Sequence, residues 1–217
     1  MTSLTAPPPP SVPAPPEPAL RFVSGLVVAA GASARFGAPK LVAPLGGVPL
    51  LLRSVLAFTG AGLGEVLVVL GAHADLLLPL LADLPVRPVR NPRWEAGMFS
   101  SVRAGLAEVS PAATRVAVSP ADLPFLTPEV VARVARASLE EGGSAVTLPV
   151  HEGRRGHPLL LPRPLAARVL GWPDDARLDR LLREPDVSVS EVGGCGPGVL
   201  RDVDTPGDLA ASAKLGA

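Results

Sequence analysis

The chain has 217 residues, of which 47% are apolar and 18% are charged, and its 20 basic and 20 acidic side chains give a formal net charge of zero. This length suits one domain with a sizeable core, and the balanced charge argues against a general nucleic-acid binder. The sequence has no apolar run of about 18 residues, so it predicts no membrane span. It also has no basic segment followed by an apolar one near residue 1, so it predicts no secretion leader. We therefore expect a cytoplasmic protein with neither a membrane nor a nucleic acid as partner. Cys195 is the single cysteine, which excludes an internal disulfide and a cysteine-rich zinc site.

Residues 1–20 differ in composition from the rest of the chain. They hold eight of the 27 prolines, in the run APPPPSVPAPPEPA. Proline cannot donate to a helix or a strand ladder, so this stretch is predicted to be an extended or disordered tail. A dispensable extension is the simpler interpretation, and a docking segment for a partner is the alternative.

From residue 21 onward, short β-branched runs alternate with longer helical patterns. The predicted strands are FVSGLVVAA, EVLVVLG, VRPVR, RVAVS and SAVTLPV, and the predicted helices between them are PLLLRSVLAF, HADLLLPLLA, MFSSVRAGLAEV and TPEVVARVARASLEE. Such alternation predicts a mostly parallel sheet covered on both faces, a Rossmann-like three-layer α/β sandwich over residues 21–217. Ligands of such sheets bind beyond the carboxyl ends of the strands.

A loop of small residues follows the first strand and reads Ala29-Ala30-Gly31-Ala32-Ser33-Ala34-Arg35-Phe36-Gly37-Ala38-Pro39-Lys40. Small residues let backbone N–H groups approach a phosphate, and the two cations add positive charge. The spacing fits neither the P-loop nor the dinucleotide fingerprint. On the residues alone, phosphate binding competes with a plain strand-to-helix connection.

Two aspartates also lie at predicted loop edges. Asp122 follows the strand RVAVS, and Asp204 precedes the last helix within Asp202-Val203-Asp204-Thr205-Pro206. Mg²⁺ is typically held by one or two carboxylates together with phosphates and water. An aspartate before a helix is also a common N-cap, which is the simpler interpretation of either residue taken alone.

The run LVVAAGASARFGAPKL resembles the signature loop of nucleotidyltransferases related to the molybdenum cofactor guanylyl- and cytidylyltransferases, A-G-x-S-x-R-x-G-x-x-K. The resemblance extends over residues 23–213 and implies a nucleotide-diphospho-sugar transferase type of fold. It implies that Arg35 and Lys40 contact the phosphates and that Asp122 and Asp204 coordinate Mg²⁺, with Arg35, Lys40 and Asp122 as the catalytic residues. The residues implied to bind nucleotide are Ala29, Ala30, Gly31, Ala32, Ser33, Lys40, Asn91, Gly97 and Ser101.

The segment N-P-x-W-x-x-G-M-x-x-S-x-x-x-G, which starts at Asn91, resembles the cytidylyltransferase branch of that family. So does R-G-H-P, through which the resemblance implies acceptor binding by Arg154, Arg155 and His157. By themselves, the arginines would be surface charges and the histidine structural. One departure is the absence of the usual G-D-x-G-A-R segment, of which only Ala176 and Arg177 are kept; it leaves the acceptor's identity open.

The leading hypothesis is therefore CMP transfer from CTP to a molybdopterin-type cofactor, with Mg²⁺ as cofactor and a recipient molybdoenzyme as a further partner. The alternatives are guanylyl transfer, nucleotidyl transfer to a sugar phosphate, and a non-catalytic carrier of the molybdenum cofactor. A carrier does not need a metal site, so the two aspartates and the loop cations favour an enzyme. Base preference is expected to depend on the surroundings of residues 29–33 and 70–75.

Overall fold

The computed structural model describes residues 19–173 and 175–214. The strands in chain order are β1 (Val23–Ala29), β2 (Pro44–Leu45), β3 (Val48–Pro49), β4 (Glu65–Leu70), β5 (Arg87–Arg90), β6 (Arg115–Pro120), β7 (Val146–His151), β8 (Arg154–Arg155), β9 (Leu159–Pro162) and β10 (Val189–Val192). The α-helices are α1 (Leu50–Thr59), α2 (Ala74–Leu77), α3 (Met98–Glu108), α4 (Pro128–Glu140), α5 (Arg163–Leu170) and α6 (Pro206–Ala213). Short 3-10 helices cover Leu20–Phe22, Lys40–Val42, Leu78–Leu81, Trp94–Ala96, Leu178–Arg183 and Pro197–Leu200.

The central sheet has the strand order β10-β7-β9-β6-β1-β4-β5, with β8 paired to β7. The pairs β1–β4, β1–β6, β4–β5 and β7–β10 are parallel, whereas β9 runs antiparallel to both β6 and β7. The chain passes from β1 to β4 on one side and returns to β6 on the other side. Strand order thus reverses around β1, so the carboxyl ends of β1, β4 and β6 frame a topological switch point.

Helices cover both faces of the sheet, because successive strand residues point to opposite sides. Val27 packs in the cluster formed with α1 and α4, and Leu26 packs in the cluster formed with α3 and α5. The approach of α3 to β1 is close: a Cβ on Gly105 would lie 2.2 Å from Cδ1 of Leu26. A side chain at that position would push the helix away from the strand that carries the loop.

The predicted mostly parallel, three-layer α/β sheet is confirmed, and every predicted strand and helix is present. The antiparallel strand β9 and helix α5 were not predicted. Leu20, assigned to the tail from composition, is buried in the core, so the folded part begins before residue 21. The remainder of the predicted tail, residues 1–18, lies outside the described residues. None of the described helices is long and apolar enough to cross a membrane.

Candidate active site

The loop after β1 is folded into a tight turn at the carboxyl end of the sheet. Ser33 has a positive φ of 57°, and its carbonyl accepts hydrogen bonds from the amides of Phe36 and Gly37, at 2.9 and 3.2 Å. The Ser33 hydroxyl accepts a further hydrogen bond from the amide of Lys40, at 3.2 Å. No heavy atom lies within 4 Å of where a Cβ on Gly31 would stand. The loop therefore presents open backbone at Gly31 and fixes the start of the segment that carries Lys40.

Arg35, Lys40, Asp122 and Asp204 meet beside this loop, and we refer to them as the charged cluster. The ammonium of Lys40 donates to Oδ2 of Asp122 at 2.7 Å and to Oδ1 of Asp204 at 2.9 Å. The guanidinium of Arg35 lies 2.7 Å from the other oxygen of Asp204. The ammonium of Lys40 thus joins that residue to carboxylates that lie 82 and 164 positions further along the chain.

Backbone hydrogen bonds hold the two carboxylate loops in register. The amide of Ala121 donates to the carbonyl of Val28 at 3.0 Å, and the carbonyl of Ala121 accepts from the buried hydroxyl of Ser54 at 2.7 Å. The amide of Val203 donates to the carbonyl of Asp122 at 3.0 Å, which links the second loop to the first. These contacts place both carboxylates beside the end of β1.

The N-cap interpretation of Asp204 is wrong. Thr205 caps α6 in a capping box with Asp208: its side chain accepts from the Asp208 amide, and the Asp208 carboxylate accepts from the Thr205 amide. Thr127 likewise caps α4. Because Thr205 takes the capping role, the carboxylate of Asp204 is left for Lys40 and Arg35.

The protonation state of Lys40 follows from opposing effects. Burial by itself lowers the pKa of an ammonium group, but the charge of Asp122 and the hydrogen bonds to Asp122 and Asp204 outweigh burial and raise the pKa of Lys40 above 10.5. Lys40 is therefore a fixed cation at neutral pH. Its role is electrostatic, and it does not serve as a proton acceptor.

A first cleft of about 350 Å³ contains the charged cluster and the loop after β1. The predicted residues that line it are Ala29, Ala30, Gly31, Ala32, Ser33, Arg35, Lys40, Gly97, Ser101, Asp122 and Asp204. Trp94, Glu95 and Met98 are among the other residues of its wall. The structure thus brings together nearly all residues that the sequence assigned to the nucleotide and the metal.

Asn91 is the exception, because it is buried behind the first cleft. Its amide nitrogen donates to the hydroxyls of Ser100 and Ser101, both at 2.9 Å, and its oxygen accepts from the amide of Arg93 at 2.9 Å. These partners occupy the side chain and tie the end of β5 to the start of α3. Asn91 is placed to support the wall of the cleft, and direct contact with a nucleotide does not fit its position.

A second cleft of about 620 Å³ adjoins the first and shares Val28, Gly97, Met98 and Pro120 with it. Much of its lining is apolar, including Phe99, Val102, Val118, Leu148, Leu159 and Leu182. Of the predicted acceptor residues, Arg155 and His157 line it and Arg154 does not. Adjacent residues of a strand point to opposite sides. Arg154 therefore points away when Arg155 of β8 faces the cleft, and its assignment to the acceptor stays a prediction without support from the lining of the cleft.

His157 lies between the second cleft and the carboxylates. Burial lowers the pKa of its imidazole below 6.5, against the opposing effects of a hydrogen bond with the Val118 backbone and the charges of Asp122 and Asp202. The ring is thus neutral at pH 7. Its Nδ1 atom is buried and has no hydrogen-bond partner among the described residues.

Several residues of the second cleft were not assigned to a site from the sequence. Asp175, Leu178 and Asp179 line it. Ala176 and Arg177, the two residues kept from the G-D-x-G-A-R segment, line it as well. Behind them, Trp172 stacks on Phe99 with ring centroids 6.0 Å apart. Ala176 and Arg177 were the available signal in the sequence, because they mark a segment that reaches the second cleft.

The charged cluster has the donor set that suits Mg²⁺, which prefers carboxylate oxygens completed by phosphates and water. Oδ1 of Asp122 is buried without a hydrogen-bond partner, so one oxygen remains available as a ligand. Among the described residues no group of three or more His, Cys, Asp or Glu side chains forms a metal site by protein ligands alone. The cluster therefore fits a cation that is shared with phosphate oxygens.

This fold and this cleft define a class of protein, the α/β nucleotidyltransferases. Comparison with known proteins agrees: the MobA-like NTP transferase domain matches residues 25–189. This chain belongs to the MobA-like NTP transferase family. Asp204 lies beyond the matched range and joins the site only through the fold.

Individual relatives carry different names. The chain is 30% identical over 194 residues to nicotine blue oxidoreductase from Paenarthrobacter nicotinovorans, covering 86% of this chain and 94% of that protein. It is 25% identical to molybdenum cofactor cytidylyltransferase from Escherichia coli, covering 85% and 92% of the two chains. It is 37% identical to 2-C-methyl-D-erythritol 4-phosphate cytidylyltransferase from Corynebacterium diphtheriae, over 60% of this chain but only 56% of that enzyme.

Among solved structures, a nucleotidyl transferase from Methanothermobacter superposes with a TM-score of 0.78 at 25% identity, covering 89% of this chain and 97% of that one. The likeness extends over nearly the whole described chain. The predicted nucleotide-diphospho-sugar transferase type of fold is thereby confirmed.

Proposed function

We propose that this nucleotidyltransferase transfers CMP from CTP to a molybdopterin-type cofactor in a Mg²⁺-dependent reaction that releases pyrophosphate. The observation that carries the proposal is the position of the charged cluster. It lies beside the open backbone of Gly31, in a cleft that leads directly into a second and larger cleft. The first cleft suits a triphosphate, and the second suits the molecule that accepts the nucleotide.

In this proposal the triphosphate lies against the loop after β1. Backbone N–H groups near Gly31 approach the phosphates because no side chain stands in the way. Lys40 and Arg35 exchange their contacts with the carboxylates for contacts with phosphate oxygens, which neutralises the charge that develops on the departing pyrophosphate. Asp122 and Asp204 would hold Mg²⁺ together with the phosphates, and the bound ion would supply further charge neutralisation.

The transfer itself needs no protein nucleophile. An oxygen of the acceptor phosphate forms a bond to the α-phosphorus, and the bond from the α-phosphorus to the bridging oxygen breaks. Pyrophosphate leaves with that electron pair. An acceptor phosphate is already ionised at neutral pH, so no general base is needed. The neutral His157 would therefore find no proton on the acceptor phosphate to remove. Rate acceleration then comes from positioning and charge neutralisation.

Cytidylyl transfer is favoured over guanylyl transfer by the Asn91–Gly97–Met98–Ser101 segment alone, because relatives named for each of the two activities are similar to this chain. In this proposal the nucleobase lies toward the segment that follows β4, which contacts the loop after β1: the amide of Ala72 donates to the carbonyl of Ala30 at 3.1 Å, and the ring atom Nε2 of His73 lies 3.2 Å from the carbonyl of Ala32. A sugar-phosphate acceptor and a cofactor carrier remain as alternatives that the experiment below separates.

The relative named as an oxidoreductase gives a further alternative, a redox enzyme on the same fold. The charged cluster does not favour it, because hydride or electron transfer has no need for two carboxylates bridged by an ammonium. Transfer to a phosphorylated acceptor uses each member of that cluster. Pyrophosphate release distinguishes the two activities directly.

The deciding experiment measures Mg²⁺-dependent pyrophosphate release from CTP, GTP, ATP and UTP, each with and without molybdenum cofactor. Release from CTP only when the cofactor is present supports the proposal. Release from GTP alone would replace CMP transfer with guanylyl transfer. Silence with every nucleotide, from folded protein and active cofactor, contradicts the acceptor assignment, and a screen of sugar phosphates then follows.

A pair of variants tests the role of the carboxylates in the same assay. Asp122→Asn should lower turnover by at least about 100-fold, because positioned charge at the reacting phosphate contributes several kcal/mol. Asp83→Asn, at an exposed carboxylate that lines neither cleft, is the matched control and should retain turnover. Near-normal activity of Asp122→Asn would sink the metal assignment.

A further inference from the structure

Met98 stands where the two clefts join. It is one of the four residues that line both of them, together with Val28, Gly97 and Pro120. Its side chain is 68% exposed, although it is large and apolar. The other large apolar residues of the described chain that are similarly exposed, Phe22, Leu56 and Leu76, line neither cleft. Scattered exposed apolar residues are normal, so the position of Met98 is what distinguishes it.

The backbone at Met98 is fixed although its side chain is free. Gly97 has φ 102° and ψ 173°, a conformation that favours glycine and that turns the chain from the Trp94–Ala96 helix into α3. The Ser100 hydroxyl donates to the Gly97 carbonyl at 2.7 Å, and Asn91 holds Ser100 from behind. Met98 is therefore an adaptable thioether chain on a rigid base.

The two clefts offer this side chain different surroundings. The first cleft presents the charged cluster and open backbone, which suit phosphates. The second cleft continues beside Met98 with Ala96, Phe99 and Val102, and Trp172 stacks on Phe99 behind that wall. An apolar surface that enters the second cleft would cover Met98 together with these neighbours. Burial of the exposed thioether chain then adds to binding in the second cleft.

We propose that Met98 is a positioning residue that packs against the apolar face of the acceptor and directs the acceptor's phosphate toward the nucleotide in the first cleft. The inference rests on the proposed function, because it assumes that the acceptor occupies the second cleft. It assigns to one side chain the alignment of two substrates that bind in separate clefts. Such alignment lowers the barrier because it holds the reacting atoms in register.

The first test measures the acceptor KM, kcat and CTP affinity of Met98→Ala in the full chain, with CTP as donor and molybdenum cofactor as acceptor. Removal of the thioether should raise the KM for the cofactor about tenfold. The Kd for CTP, measured calorimetrically without cofactor, should change less than about twofold because the phosphates bind elsewhere. Met98→Leu should restore most of the acceptor affinity, since it returns apolar volume.

Leu76→Ala is the matched control, because Leu76 is 49% exposed on α2 and lies outside both clefts. It should leave both constants unchanged. An equal loss of CTP affinity in Met98→Ala would place the side chain in the nucleotide site and overturn the proposal. An unchanged KM for the cofactor would overturn it as well.

A second measurement does not depend on turnover. The planar anionic dye anilinonaphthalene sulfonate is titrated into a Trp94→Phe background, so that energy transfer to the dye comes from Trp172 behind the second cleft. Adding Met98→Ala should weaken dye binding several-fold, and adding Leu76→Ala should not. If the wild type releases no pyrophosphate but Met98→Ala weakens the dye, the proposed reaction fails and the role of Met98 in the second cleft stands. Dye binding that is indifferent to Met98→Ala overturns that role.

Discussion

Replacement of Lys40 by methionine tests the charged cluster directly, because it removes one charge and keeps much of the side-chain volume. The Lys40 side chain is 14% exposed, and its ammonium donates to both Asp122 and Asp204. Charge-assisted hydrogen bonds contribute roughly 1.5–3 kcal/mol each, and the desolvation of the ammonium offsets part of that gain. We expect a net loss of about 1–3 kcal/mol in the free energy of unfolding. For a domain of this size the loss corresponds to a Tm lower by roughly 2–10 °C.

The same substitution changes how the protein responds to Mg²⁺. With Lys40 present, the two cations and two carboxylates of the charged cluster balance. Lys40→Met leaves one uncompensated negative charge and two carboxylates that face the same space. A cation that binds only the folded state adds about 1.4 kcal/mol when present at about ten times its Kd. Mg²⁺ should therefore raise the Tm of Lys40→Met more than that of the wild type.

The assay is thermal unfolding over a Mg²⁺ titration at constant ionic strength, followed by calorimetric titration of CTP. Lys214→Met is the matched control, because Lys214 is an exposed lysine at the end of α6, far in sequence from the loop. It should behave as the wild type in both measurements. Lys40→Met should also bind CTP at least about tenfold more weakly, since one phosphate contact is lost. A variant that is as stable as the wild type and no more responsive to Mg²⁺ would refute the bridged arrangement of the carboxylates.

Further predictions concern the histidine behind the second cleft, the support of α3 and the open loop. Burial lowers the pKa of His157 below 6.5, so at mildly acidic pH the histidine is protonated in the unfolded chain but not in the folded chain. The free energy of unfolding therefore falls as the pH drops below about 6.5, by up to about 1.4 kcal/mol per pH unit. In urea unfolding, the free energy of unfolding of His157→Gln should lack this dependence on pH. The control His151→Gln should retain it. Asn91→Ala removes the hydrogen bonds at the start of α3 and should lower the free energy of unfolding by about 2–4 kcal/mol in the same assay. Gly31→Val should keep the Tm but weaken CTP binding at least about tenfold, whereas Gly193→Val, also in open space, should change neither.

The strands and helices that could be predicted from the sequence are those in which the pattern of apolar residues is uninterrupted. EVLVVLG and RVAVS are apolar runs of strand length, and the structure has β4 and β6 there. The antiparallel strand β9 is the apolar run Leu159–Pro162, which lies between prolines and leads directly into α5. A run of that length has no period of its own, and its direction depends on β6 and β7 on either side. That direction is set by tertiary packing, which the local sequence does not encode.

Within the site, too, features that the local sequence indicates differ from features that depend on tertiary packing. On its residues alone, the loop after β1 is compatible both with phosphate binding and with a plain strand-to-helix connection, and its resemblance to a family signature is what indicates its chemistry. Asp204 was assigned to the metal through resemblance, and its proximity to Asp122 follows from the Val203 hydrogen bond, a contact made only in the folded chain. Asn91 was also assigned to the nucleotide through resemblance, and the hydrogen bonds from its amide to Ser100 and Ser101 form only in the folded chain.

The two clefts are built from different kinds of sequence, and this difference bears on how such a fold can take different acceptors. The first cleft depends on backbone geometry and on four charged side chains, so we expect substitutions there to disturb the proposed triphosphate chemistry itself. The second cleft depends on side chains from α3, from the segment around His157 and from the 3-10 helix Leu178–Arg183. Relatives named for a polyol phosphate and for a molybdenum cofactor are similar to the same chain. We therefore expect substitutions at the second cleft to change the acceptor while CTP affinity is kept, and the constants measured for Met98→Ala separate these two effects within one protein.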